Sequence, residues 1–323
     1  MSDASRSKSR AASLDLVHGN AVCYSGYREG QSPDDGVFPT HEEIREDLLI
    51  LAKNWKYLRL YDSQTHAERT LDVIHREGLD FKVMLGMATA AEANNPKCPW
   101  GAEYDAKTLR ANREANDAEV DRAIALANRY PNIVFSVSIG NEAVVEWTDH
   151  PVPVKSLLSR LSRLKAAIDQ PVTFCENYVP WTDELELLAD ELDFLSVHTY
   201  PVWEYQSLDA ALAHTQENYY SVADHYPGKP VVITEAGWTT ASNGRGIEPA
   251  NASEKLQAKY YEKLLAWTTK EKILTFVFEA FDEPWKGSHH PLEPEKHWGL
   301  FRVDRTPKLV MRETYPELLN GDG

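Results

Sequence analysis

Cysteine is scarce in this chain: Cys23, Cys98 and Cys175 are the only three in 323 residues. They are too few and too scattered for a disulfide framework or a zinc knuckle, so three reduced, buried thiols are expected. Long apolar runs are missing too, and none approaches the roughly 20 residues of a membrane span. Positive charge is in deficit. With 34 Lys and Arg against 50 Asp and Glu, the net charge of −16 repels polyphosphate and argues against a nucleic-acid partner. Sixteen Gly and eighteen Pro are near average, which excludes collagen-like and low-complexity chains. The opening MSDASRSKSRAAS lacks the apolar stretch of a secretory leader. Residues 1–14 are expected to form a disordered tail, and the compartment stays open between the cytosol and a chain whose leader has been removed.

What is abundant is aromatic: nine Trp and fifteen Tyr, which suit neutral, hydroxyl-rich ligands. The length allows a core of ample size. Eight short β-rich runs, LVHGNAV (16–22), YLRLY (57–61), FKVMLG (81–86), IVFSVSIG (133–140), PVTFC (171–175), DFLSVHTY (193–200), PVVITEA (230–236) and ILTFVFEAF (273–281), alternate with segments of helical period. THEEIREDLLILAKNW (40–55) opens with a Thr40/Glu43 capping box, and HAERTLDVIHREG (66–78) stops at Gly78. Further helical patterns cover 108–130, 154–168, 182–191, 207–226 and 253–270. No composition break divides the chain. Eight uninterrupted strand–helix units predict an α/β fold, a (β/α)₈ TIM barrel in one domain over 15–320. The rival doubly wound sheet opens with a Gly-rich phosphate turn, and the first strand here runs into CYSGYREG instead.

In such a barrel the chemistry sits where strands end. Strand four ends in GNE (140–142), strand six in HTYP (198–201), strand seven in TEAGW (234–238) and strand eight in FEAFDEPWK (278–286). Alternation along strand four puts Ser136, Ser138, Gly140 and Glu142 on the face that points to the barrel mouth. Glu235 ends strand seven, on another side of the barrel, so two glutamates can converge across the mouth. Facing carboxylates suit glycoside cleavage, because one must be protonated to donate to the leaving oxygen and the other ionised to attack or to activate water.

GNE after strand four and TEAGW after strand seven resemble the acid/base and nucleophile signatures of the clan of retaining (β/α)₈ glycosidases. Within that clan YLRLYD (57–62), FDEPWK (281–286) and HWGLFRVDRTPK (297–308) resemble segments of glycoside hydrolase family 17, the β-1,3-glucanase family. The resemblance implies that Glu142 is the general acid/base and Glu235 the nucleophile. It implies that Asn141 binds the sugar 2-hydroxyl and that Tyr200 keeps Glu235 ionised. Glu283 and Lys286 are implied as a charged pair near the acid/base that positions it. HTYP and TEAGW depart from the plant-type Asn-x-Tyr-Pro and SETGW and resemble a bacterial branch, which includes both hydrolases and glucan-remodelling transferases.

Six of the nine Trp fall at or beyond strand ends, among them Trp147. Trp181, Trp203, Trp238, Trp285 and Trp298 are expected as sugar-stacking platforms, with subsite contacts from Arg59, Tyr61, Asn177 and Tyr178. The loop 89–104 is long enough to wall one end of a groove. His289, His290 and His297 are expected as solvated loop histidines without carboxylates to complete a metal site. Asn251-Ala252-Ser253 is a glycosylation triplet better explained by Ser253 as a helix cap. The expected function is retaining, endo-acting hydrolysis of laminarin-type β-1,3-glucan by a monomer, with no metal, cofactor or membrane. A β-1,3-glucan transglycosylase using the same pair is the enzyme alternative. A catalytically silent glucan-binding barrel is the other, and it has no use for a paired acid and nucleophile.

Overall fold

The computed structural model describes residues 19–320. Its strands are β1 (Ala21–Cys23), β2 (Tyr57–Arg59), β3 (Lys82–Leu85), β4 (Val134–Asn141), β5 (Val172–Asn177), β6 (Leu195–Thr199), β7 (Val231–Ala236) and β8 (Thr275–Val277). Each pairs in parallel with the next, and β8 returns to β1, closing the predicted (β/α)₈ barrel in chain order. The α-helices are α1 (His41–Leu51), α2 (Thr65–Glu77), α3 (Ala106–Arg129), α4 (Val154–Ala167), α5 (Glu186–Glu191), α6 (Leu208–Ala223) and α7 (Glu254–Glu271). No α-helix follows β8 among the described residues. Short 3₁₀ turns, Leu309–Met311 and Pro316–Asn320, stand there, the first packed on α7. The tail expected over 1–14 lies outside the described residues.

Local chemistry sets the helix ends. The Thr40 hydroxyl accepts from Glu43 N–H while the Glu43 carboxylate accepts from Thr40 N–H, the full capping box. Gly78 ends α2 at φ 64°, a left-handed position that costs glycine little. Ser253 accepts from Leu256 N–H and starts α7 as a cap.

Contacts between strands that are not neighbours must run through the barrel interior. Cys175 on β5 meets Met84 on β3, and the Cys23 thiol on β1 donates to the Thr234 carbonyl on β7. Small polar residues fill the same space, where Thr173 and Ser196 share a hydroxyl contact of 2.9 Å. Val137, Ile139, Phe174, Val197 and Ile233 are fully buried in the hydrophobic core.

Register shifts interrupt β4 between Ser138 and Asn141, β6 between Val197 and His198, and β7 between Ile233 and Ala236. Each lies at the mouth end of its strand, where an irregularity re-aims the following side chain. Gly237 is required for a related reason: a Cβ there would lie 2.1 Å from the Phe278 carbonyl oxygen, where β7 and β8 converge.

Candidate active site

The floor of the barrel mouth is built on Arg59, buried at the end of β2. Its guanidinium bonds the Glu235 carboxylate on β7 and the Asn141 amide oxygen on β4. Tyr61 donates to Glu235 Oε1 at 3.0 Å and Tyr200 to Oε2 at 2.5 Å. Both carboxylate oxygens are therefore held by donors. Burial alone would raise this carboxyl, but the charges of His198 and Arg59 and the Tyr200 bond hold it down at about 2. Arg59 and Tyr61, expected as sugar contacts, instead clamp the nucleophile candidate.

Glu142 lies just past β4 at φ 43°, a left-handed backbone that a non-glycine residue adopts only when its surroundings enforce it. Strict alternation allows either Asn141 or Glu142 to face the mouth. The register shift and the left-handed turn bring both there. Its carboxylate is part-exposed and accepts from His198 Nδ1 at 2.8 Å, while the same nitrogen is 3.5 Å from Glu235 Oε2. Burial works against charging His198, yet Glu235, the Cys175 side chain and Glu142 push it up to about 10. Oxygens of Glu142 and Glu235 and the His198 nitrogen all lie within 4.8 Å of one another.

One nitrogen and two carboxylates at that spacing could chelate a metal ion. Here they are satisfied otherwise, since His198 Nδ1 donates to Glu142 and the cation Arg59 already pairs Glu235. His198 opens the HTYP segment that ends strand six and carries no role in the sequence analysis. Two further acids were missed. Glu176, on β5 behind Glu142, accepts from the N–H groups of Val144 (2.8 Å) and Asn177 (2.7 Å), and burial with the Glu142 charge pushes it to about 8. Glu295 is brought to about 7 by burial, against the pull of Lys286 and with the help of Glu142, Glu293 and Glu235. Glu176 stands at the end of β5, just past the run 171–175 expected for that strand, and Glu295 lies well beyond β8.

Glu283 is buried and Lys286 half-buried, and their partners differ from expectation. Lys286 bonds Glu283 and also Glu279, each at 2.6 Å. Ser25 after β1 donates to Glu283 at 2.6 Å, and Tyr27 N–H does so at 3.4 Å. These contacts tie the β8 loop to the β1 loop, across the mouth from the β4 loop that carries Glu142. Glu279 was missed, although it alternates with Phe278 at the end of the eighth run.

The tryptophans divide. Trp181, Trp238 and Trp298 are fully buried, so they cannot present a face to a sugar. Trp181 packs on Phe174, and Trp238 donates to the Asn251 carbonyl beside Tyr260, both in the layer between strands and helices. Trp298 supports the site from behind, its ring 5.1 Å from that of Tyr200. Local apolarity at a strand end is equally suited to packing the helix layer, which is why position alone misassigned them. Trp203 and Trp285 are half-buried, and Trp147 and Trp100 are exposed. Asn177 spends its amide oxygen on Val179 N–H, holding the 3₁₀ turn 179–182, and Tyr178 donates to Glu204. All three cysteines are free and buried, as expected. His289 and His290 are exposed.

The chain is 23% identical to a glucan 1,3-beta-glucosidase of Arthroderma benhamiae, over 93% of this chain and 96% of that one. An endo-laminarinase from Formosa Hel1_33_131 superposes with a TM-score of 0.80 at 27% identity, covering 95% of this chain and 90% of the other. A glycoside hydrolase family 17 beta-1,3-glucanosyltransferase from Rhizomucor miehei shares the fold, with a TM-score of 0.70 at 22% identity over 90% of this chain and 96% of that one. The BtgE/BtgC glycoside hydrolase domain model matches residues 21–299, from β1 to the segment beyond β8, and the chain belongs to that family.

Proposed function

We infer that this barrel hydrolyses β-1,3-glucan by double displacement, in endo fashion, with Glu235 as nucleophile and Glu142 as general acid/base. The observation that carries the reading is the approach of the two carboxylates to within 4.8 Å, with one of them locked in its ionised form. Retaining glycosidases separate their carboxyl groups by about 5–5.5 Å, and inverting ones by about 6.5–9.5 Å to admit a water.

Glu235 attacks the anomeric carbon and forms a glycosyl–enzyme ester while Glu142 protonates the departing glucan oxygen. Glu142, now a carboxylate beside His198, then takes a proton from water, and that water releases the sugar from Glu235. Arg59 occupies the Asn141 amide oxygen and so leaves its amide nitrogen to donate to the sugar 2-hydroxyl oxygen. Half-buried Trp203 and Trp285 and exposed Trp147 are the ring faces we assign to glucan. On HTYP and TEAGW we place the chain in a bacterial branch of the retaining clan. We also propose that 15–320 acts as one catalytic unit, as a monomer.

The test is incubation of the protein with linear β-1,3-gluco-oligosaccharides, following product sizes over time. Products shorter than the substrate alone support hydrolysis. Products longer than the substrate move the assignment to a glucanosyltransferase using the same pair. No change, with β-1,4 and mixed-linkage controls also intact, overturns the substrate assignment.

A further inference from the structure

The loop between β4 and α4 carries a histidine that sequence reasoning did not single out. His150 Nδ1 faces Asp149 Oδ1 at 2.7 Å, and Nε2 faces the Asn141 carbonyl oxygen at 3.0 Å. A carboxylate oxygen and a carbonyl oxygen can only accept, and neutral imidazole has a single N–H to offer. Either neutral tautomer therefore turns a ring lone pair toward one of these oxygens. The imidazolium alone donates to both.

The bonded carbonyl belongs to the peptide that joins Asn141 to Glu142. Its other end is fixed too, since Glu142 N–H donates to the Cys175 carbonyl at 2.9 Å. That peptide leads directly into the left-handed backbone of Glu142, a conformation that needs external support. The next turns of the loop are tied by Val144 N–H on Glu176 and by Val152 N–H on the Ala143 carbonyl at 2.9 Å. Of these supports, His150 is the one whose donor depends on protonation, because a neutral ring that keeps its N–H on the charged Asp149 carboxylate turns a lone pair to the Asn141 carbonyl.

We propose that His150 is a protonation-dependent positioning residue of the reaction: as an imidazolium it clamps the Asn141–Glu142 peptide and thereby aims the general acid/base. This rests on the assignment of Glu142 as acid/base. The charged groups facing His150 are Asp149, through its direct bond, and Glu142. Burial lowers the proton affinity of the ring, but these two acids and the Asn141 carbonyl raise it above its ordinary value. Once the ring loses a proton, its remaining N–H stays on the Asp149 carboxylate, the stronger acceptor, so the peptide is released and the carboxyl wanders from the scissile oxygen. A misplacement of about 1 Å at a reacting group can cost on the order of 100-fold in rate.

The experiment compares wild type, H150Q, D149N and E142A on a β-1,3-gluco-oligosaccharide and on an aryl β-glucoside with a strongly activated leaving group, across pH. Glutamine keeps one donor but cannot titrate. H150Q is expected to lose roughly tenfold in kcat/KM on the oligosaccharide and much less on the aryl glucoside, which needs no acid to depart. In wild type the alkaline limb should be steeper than one proton allows, and in H150Q it should relax to a single ionisation. D149N should move that second ionisation to lower pH, because the ring loses its carboxylate. Equal losses on both substrates, or an alkaline limb unchanged in H150Q, would overturn the proposal and make His150 merely structural. If E142A itself leaves the oligosaccharide rate intact, the acid/base assignment has failed and this inference falls with it, a result distinct from failure of H150Q alone.

Discussion

His198 Nδ1 donates to Glu142 Oε1 at 2.8 Å, so the residue assigned to donate a proton to the substrate already shares one with a buried imidazole. The same nitrogen lies 3.5 Å from Glu235, which makes His198 a single cation between two anions. That position brings the two carboxyl groups together over one shared donor nitrogen.

Stability should therefore depend on pH through His198. Its pKa stands at about 10 in the folded chain against about 6.5 unfolded, so the folded state binds the extra proton between these values. The stabilisation is fully present below about 6.5 and is lost as pH rises through about 10. Cys175 works in the opposite sense: burial raises its thiol, but the Arg59 and His198 charges bring it down to about 7, so it adds stability as pH rises toward 9. Thermal midpoints measured in a Cys175→Ala background should fall from pH 6.5 to 10, and His198→Asn should flatten that slope. An unchanged slope would mean that His198 is neutral.

Glu142→Ala is expected to lower turnover of natural glucan by roughly 10²–10⁴-fold, the usual contribution of a positioned acid. Formation of the glycosyl–enzyme from an activated aryl glucoside should survive, seen as a burst of released phenolate. Equal impairment on both substrates would remove Glu142 from the acid role.

Glu235→Ala should abolish turnover and also lower the melting temperature, because Arg59 is left buried without its counter-ion. Breaking such a pair costs about 3–5 kcal/mol. Circular dichroism at 20 °C separates loss of chemistry from loss of fold. Full activity in a folded variant would refute the nucleophile assignment.

Lys286→Met leaves the buried Glu279 and Glu283 without their shared cation. Burial already pushes Glu279 well above the ordinary carboxyl range, with Lys286 pulling it back. We expect a loss of about 3–5 kcal/mol in urea unfolding, and partial recovery when Glu279→Gln is added. A variant as stable as wild type would show that the triad carries no structural charge pairing.

The tryptophans should separate by assay. Trp181→Ala removes a fully buried ring and should cost about 3–5 kcal/mol in stability. Trp147→Ala, on the exposed rim, should change stability by less than about 0.5 kcal/mol. It should instead raise KM for long glucans more than for a trisaccharide. An unchanged KM on both would take Trp147 out of the groove.

Much of this molecule was legible in one dimension. Alternating runs placed all eight strands, the Thr40/Glu43 pair marked a helix start, and Gly78 marked a stop, because each of these depends on residues within a turn or a strand of one another. The two glutamates were legible as well, since a strand end in a closed barrel can lead only to the mouth. The partners were not. Arg59 and Glu235 are 176 positions apart and Ser25 and Glu283 are 258 apart, so no local pattern encodes their pairing. Nor does any pattern tell a Trp that packs under a helix from one that lines a groove. The sequence by itself determined the barrel and which acids end its strands. Only the tertiary structure decided which charges those acids meet, because ionisation and aim depend on burial and on neighbours that closure of the barrel brings together.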